Sequence, residues 1–217
     1  MKRAITMVLL FLLCTGFAFT QNGVIQELSG TVEIKPAGSA DFIRAKAGDT
    51  LFPDTIISTG FRSTALILAG SSLITVRPLT RMLLTELSSA GGVETINVNL
   101  QSGRLRVDVN PPAGMKTYMT VRAPSATASV RGTSFDFDTR NLHVRSGVVE
   151  FHGSRGTVML VNSGSASVVS VNGKAADPVG ISADALVPPA PAGSNNSSRN
   201  RTTRNSAELS IDLDYGP

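Results

Sequence analysis

From about Gly23 to Asn172 the chain alternates short runs rich in Val, Ile, Leu and Thr with Gly, Ser, Asn, Asp and Pro, a pattern that predicts strands and turns. No stretch free of Gly and Pro repeats apolar residues at i, i+3, i+4 and i+7 for long enough to predict a well-formed helix; residues 79–88 come nearest. Two turns set a register. With Ser102-Gly103 as a two-residue loop, Leu100 faces Leu105, Val98 faces Val107 and Ile96 faces Val109, while Asn99 meets Arg106 and Asn97 meets Asp108 on the other side. Ser146-Gly147, treated alike, sets Val144 against Val149, Leu142 against Phe151 and His143 against Glu150. Each hairpin then has one wet and one buried face. A third turn at Gly70-Ser71 joins residues 64–68 to 73–76, and these runs, apolar at both phases, are expected as central strands covered on both sides. The phrase Ser-Gly followed by alternate apolar residues recurs at Ser29-Gly30, Ser102-Gly103 and Ser146-Gly147, but its unequal intervals argue against a fixed-period solenoid.

Both ends depart from this pattern. Met1-Lys2-Arg3, an apolar run over 4–13, small residues at Thr15, Gly16 and Ala18, and polar Gln21-Asn22-Gly23 read as a secretory signal peptide occupying 1–20. The apolar run falls short of the roughly 20 residues that span a bilayer, so cleavage between Ala18 and Gln21 is expected, with export to the periplasm or cell envelope. Membrane association is expected only if this segment is retained or Cys14 is lipidated, and Leu13 stands where a bacterial lipoprotein signal normally has a small residue. Cys14 is the one cysteine, so a processed chain has no disulfide and the 21–183 domain depends on core burial. Residues 184–207, which include Pro188-Pro189-Ala190-Pro191 and continue in Asn, Ser, Arg and Thr, read as a disordered low-complexity linker. In the terminal peptide 208–217, Leu209, Ile211, Leu213 and Tyr215 share one side of an extended strand, opposite Glu208, Ser210, Asp212 and Asp214. Such a strand suits addition to a sheet edge, making those four the candidate partner-docking residues.

Composition narrows the class. Hydrophobic residues at 41% and charged ones at 17% predict one soluble all-β domain, a sandwich or β-roll of about a dozen short antiparallel strands. Aromatics are 5%, Trp is absent, and there are two His and one Cys, so the side chains that build metal centres, cofactor pockets and nucleophilic sites are scarce. The expectation is a non-enzymatic protein with no cofactor and no metal. The formal charge of +4 falls to +2 once Lys2 and Arg3 leave with the signal. No base-stacking aromatics are interleaved with basic residues, so nucleic acid is not an expected partner.

His143 opposite Glu150 suggests a base with an orienting carboxylate, but no third group accompanies them or His152, and a solvated cross-strand pair accounts for the pattern. Asp136 and Asp138 flank Phe137 on one side of a strand; Ca²⁺ is conceivable, outward charges on an amphipathic strand the simpler reading. Arg131-Gly132-Thr133 reads as a turn needing the freedom of Gly rather than a ligand loop. Asn195, Asn196 and Asn200 fall in glycosylation sequons that low complexity alone produces, and Arg199, Arg201 and Arg204 read as solvated tail charges.

An ordered set of phrases resembles the FecR domain family: Gly48-Asp49-Thr50-Leu51, Asp54-Thr55-Ile56, Thr59-Gly60, Ser63, the run 66–68, Gly70-Ser71, the run 73–76 and Pro78, then Pro124, Val130-Arg131-Gly132-Thr133-Ser134-Phe135 and the hairpin-like stretch 143–151. Pro53 stands in place of a usual Gly, and Ala69 in place of the Asp of an Asp-Gly-Ser phrase. The family's founding type carries a cytoplasmic anti-sigma segment and a membrane helix ahead of the domain. The resemblance therefore implies a stand-alone exported FecR-like domain that binds a protein of the cell envelope in interaction or signalling, without its own anti-sigma output. The alternative is binding of an envelope glycan such as peptidoglycan. A groove with exposed Tyr or Phe and convergent polar groups would favour the glycan; a free sheet edge or apolar patch would favour the protein.

Overall fold

The structure, a computed structural model, describes residues 19–180. Two sheets, A and B, stack face to face, and the chain passes between them repeatedly. After β1 (Phe19–Thr20), β2 (Gly23–Ser29) lies in sheet B and β3 (Val32–Lys35) in sheet A; β4 (Ile43–Arg44) and β5 (Thr50–Leu51) are edge strands of A and B. β6 (Thr55–Thr59) runs beside β3 in A, followed by a hairpin in B, β7 (Thr64–Ala69) and β8 (Ser72–Val76), and one in A, β9 (Arg81–Ala90) and β10 (Val93–Ser102). A single strand of B, β11 (Arg104–Val109), precedes a hairpin of A, β12 (Lys116–Arg122) and β13 (Ala126–Val130), and one of B, β14 (Ser134–Asp138) and β15 (Asn141–Ser146). β16 (Val148–Gly153) and β17 (Met159–Asn162) close sheet A, and β18 (Ser165–Val168) and β19 (Val179–Gly180) close sheet B. β1 pairs with β9, so Phe19 and Thr20, within the stretch read as export signal, sit opposite Ser89 and Ser88.

Period-two alternation places one phase of each strand between the sheets. Ile25, Ile67, Ile74, Val107, Phe135 and Phe137 of sheet B meet Ile57, Leu84, Ile96, Val98, Val121 and Phe151 of sheet A, all buried. Phe137 and Phe151 touch edge to face across the gap, ring centroids 6.0 Å apart at 83°. The expected all-β architecture is present, with more strands than the dozen anticipated and one exception to antiparallel pairing: β12 runs parallel to β10. Residues 79–88, the nearest helical candidate, form most of β9.

Three expectations from the alternation need correction. Ser102-Gly103 and Ser146-Gly147 are not hairpin turns: each is an arch that carries the chain from one sheet to the other, so Leu100 and Leu105 face each other through the core instead of pairing along a ladder. Ser29-Gly30 is a third such arch. His143 and Glu150 consequently lie in different sheets. Gly70-Ser71 is the hairpin expected, pairing Ala69 with Ser72, but β7 and β8 are covered on one face only; Leu68 is 36% exposed, and Leu66 and Leu73 are half-buried on the outer face of sheet B.

The arches are clipped to one another by buried hydroxyls. Ser63 Oγ accepts from the Thr31 N–H at 2.8 Å, Thr59 Oγ1 donates to the Arg77 carbonyl at 2.6 Å and accepts from the Thr80 N–H, and Thr80 Oγ1 accepts from the Arg104 N–H at 2.9 Å. Each bond joins neighbouring arches into a ridge at one end of the stack. The parallel β10–β12 pair moves later arches to the opposite end, where Thr133 Oγ1 donates to the Val148 carbonyl at 3.1 Å. The arch glycines Gly30, Gly103 and Gly147 leave the space that Ser63, Thr80 and Thr133 fill.

Candidate functional site

Two outward features stand out, a ridge and a groove. On the ridge, Phe61 and Leu79 occupy adjacent arches, linked by the Leu79 N–H donating to the Gly60 carbonyl at 3.2 Å, and are 73% and 63% exposed. Leu79 has φ 56° and the neighbouring arch's Arg62 has φ 52°, both in the left-handed region that side chains with a Cβ avoid. The Arg62 guanidinium lies over the Phe61 ring, 5.3 Å from its centroid.

The groove, about 1080 Å³, lies on the outer face of sheet B. Five arginines line it, Arg77, Arg104, Arg106, Arg140 and Arg145, against three aspartates, Asp136, Asp138 and Asp177. Strand register explains the arrangement: Arg106 on β11 is directly across from Asp136 on β14, and His143 on β15 lies across from Asp136 on the other side. A bulge at Ser134/Phe135 leaves Arg145 as an extra residue and turns it onto the same outer face. Asp136 then accepts from Arg106 Nε at 3.0 Å on one oxygen and from Arg145 Nε at 2.6 Å on the other. Burial pushes its carboxyl up, but the hydrogen bonds and charges of Arg145 and Arg106 outweigh that and hold it below the ordinary 3.8. Asp138 is a turn residue: its Oδ1 accepts from the N–H groups of Arg140 at 2.8 Å and Asn141 at 2.7 Å. The Arg140 guanidinium closes on the Val169 carbonyl through Nε at 2.9 Å and Nη2 at 2.8 Å.

A carboxylate whose folded pKa is depressed contributes stability that is complete above its unfolded value and disappears as pH falls toward the folded one. Asp136→Asn is therefore expected to lower the melting temperature at neutral pH, with the gap to wild type closing below about pH 4, in melts recorded down to about pH 2. A gap that persists unchanged in acid would mean the aspartate acts through shape rather than charge.

The residues singled out in the sequence are dispersed. Glu150 on β16 sits across from Ser129 and Leu160 on sheet A, away from His143, and His152, across from Thr127, is on that same outer face. Asp136 and Asp138 do share a face, each paired with arginine, and no group of three or more His, Cys, Asp or Glu fit to hold a metal occurs among the described residues. Arg131-Gly132-Thr133 is an arch, with Gly132 at φ 65°. Leu209, Ile211, Leu213 and Tyr215 lie outside the described residues. Sequence reasoning passed over Glu94, a fully buried carboxylate on β10 that accepts from the Ser71 N–H at 3.0 Å and from Thr117 Oγ1 at 2.9 Å. Its signal is legible in hindsight, since Glu94 falls on the inward phase of Ile96, Val98 and Leu100.

The described domain is a two-sheet all-β stack whose turns at one end form a hydroxyl-clipped ridge. Residues 55–154 match the family model described as FecR protein, a stretch that runs from β6 through β16 and includes the ridge arches at 59–63 and 77–80. Two crystal structures of a "putative anti-sigma factor" from Parabacteroides distasonis ATCC 8503 are similar at 20% identity and a TM-score of 0.48, covering 59% of this chain. The match spans 61% of those solved chains. No curated protein matches the chain.

Proposed function

We propose that the protein is a non-enzymatic FecR-type interaction module, exported to the bacterial cell envelope, whose domain over 21–183 docks a partner protein through the ridge. Leu79 carries this reading. Holding a leucine in the left-handed region costs on the order of 1 kcal/mol, and its side chain, 63% exposed, returns little burial in the described domain. A residue that is unfavourable twice over for folding is explained by a contact made outside the fold. Phe61 beside it supplies the aromatic anchor common at interface centres, and Arg62, whose guanidinium lies over the Phe61 ring, fits a partner with an apolar pocket rimmed by carboxylates. In the groove the glycan reading lacks the exposed Tyr or Phe it calls for, because the Phe there is Phe137, which is buried.

The test is crosslinking in native envelopes, with the wild type compared to Phe61→Ala/Leu79→Asn and the recovered protein sequenced from its N-terminus. A start between Ala18 and Gln21 is expected, together with at least a tenfold loss of the crosslinked partner in the variant. Because Asn tolerates the left-handed region, Leu79→Asn alone should leave the melting temperature equal or higher. Retention of Met1 in the cytoplasm would sink export, and undiminished crosslinking would sink the ridge.

A further inference from the structure

The groove on sheet B is a second feature, separate from the ridge residues Phe61 and Leu79. Asp136 binds Arg106 and Arg145 through their Nε atoms, and among the described residues the terminal Nη groups of both have no hydrogen-bond partner. The aspartate thus fixes two guanidinium planes while leaving their outer donors to a ligand. Arg140 is spent on a neutral carbonyl and Arg104 pairs with Asp138 only at 3.8 Å, and with five arginines to three aspartates the groove remains net positive. Beyond the arginines the floor turns apolar: Ala166 lies across from Val179, and Val168, across from Asn141, is 41% exposed while Val179 is 68% exposed.

We propose that this groove binds an acidic peptide lying across the strands of sheet B, with carboxylates taken by Arg106, Arg145 and Arg104 and apolar side chains resting on Val168 and Val179. Two observations favour a peptide over an anionic glycan. No exposed aromatic ring lines the groove to stack on a sugar. And the basic positions on β11 and β15 adjoin the apolar ones on β18 and β19, so a ligand that fills both carries carboxylates and apolar side chains together, as a peptide does.

The probe is a fluorescein-labelled peptide of five Glu-Val repeats, titrated with the full processed chain and followed by anisotropy, with a Lys-Val peptide and polygalacturonate alongside. Binding of the acidic peptide is expected, weakening as salt rises, with no binding of the Lys-Val peptide and no competition by polygalacturonate. Arg106→Gln/Arg145→Gln should weaken it at least tenfold. Arg77→Gln/Arg104→Gln, which leaves Asp136 paired, should weaken it about threefold and serves if the first variant does not fold. Phe61→Ala/Leu79→Asn should bind the peptide as wild type does, so failure of the ridge reading and failure of this one are separable. The proposal is overturned by absence of binding, by equal binding of the Lys-Val peptide, by wild-type affinity in the arginine variants that fold, or by competition from polygalacturonate, which would assign the groove to anionic glycans.

Discussion

Gly103→Ala is expected to destabilise the domain by more than about 3 kcal/mol, a fall of roughly 10 °C in melting temperature for a domain of this size. Gly103 sits at φ 88°, and a Cβ there would lie 2.5 Å from Thr80 Cα and 2.7 Å from the Leu79 carbonyl oxygen. Those atoms are backbone of the adjoining arch, held by the Thr80 hydroxyl between Arg104 N–H and its own neighbours, so no side chain can swing aside. The arch must separate from its partner or the strands beneath it must shift. Gly164→Ala provides the comparison: φ is 76°, but nothing lies within 4 Å of the added Cβ. It should lose only the left-handed penalty, about 1 kcal/mol. Equal losses in calorimetry for the two variants would show that backbone conformation, and not the packing of arch against arch, governs these glycines.

The contrast between arch and hairpin also marks where the sequence is silent. Alternation assigns Leu100, Leu105, Val107 and Val98 to the inner side correctly, and all four are buried. It does not name their neighbours. Two strands paired in one sheet and two strands facing each other across a core satisfy the same period-two pattern, so Ser102-Gly103 reads as a hairpin when it is a crossing. Gly70-Ser71 reads correctly because a two-residue turn there does pair Ala69 with Ser72. The groove was half legible for a related reason. Asp136 and Arg106 fall on outward phases visible in the sequence, but Arg145 reaches Asp136 through a one-residue bulge that breaks the phase. The clustering of five arginines depends on strand order across sheet B, which brings β11, β14 and β15 side by side from distant parts of the chain. The ridge was visible only as punctuation: Thr59-Gly60, Ser63 and Pro78 mark turns, and the exposure and strain of Leu79 between them follow from how the arches abut.

Glu94→Ala is expected to cost about 3 kcal/mol or more, with Glu94→Gln costing about 1. The carboxylate lies between the sheets near the point where the parallel β10–β12 pair reverses the end used by the arches. It bridges the Ser71 turn of sheet B, through the Ser71 N–H at 3.0 Å and the Ser71 hydroxyl at 2.5 Å, and Thr117 on β12 of sheet A at 2.9 Å. No Lys or Arg pairs with it among the described residues, so its burial is balanced by hydrogen bonds alone. Truncation to alanine would leave a cavity and strip the acceptor from the buried Thr117 hydroxyl and the Ser71 turn, each orphaned donor costing on the order of 1–3 kcal/mol. Glutamine keeps the volume and one oxygen, and its amide can donate to the same hydroxyls turned about. Gly70 beside the turn has no room for a Cβ because Glu94 Oε1 occupies that space, so the Gly70-Ser71 turn and this glutamate form one structural unit. Chemical denaturation of both variants measures the difference. If Glu94→Gln falls as far as Glu94→Ala, the negative charge itself holds the two sheets together at this end; if neither falls by 1 kcal/mol, the clip between the Ser71 turn and the parallel pair contributes nothing to stability.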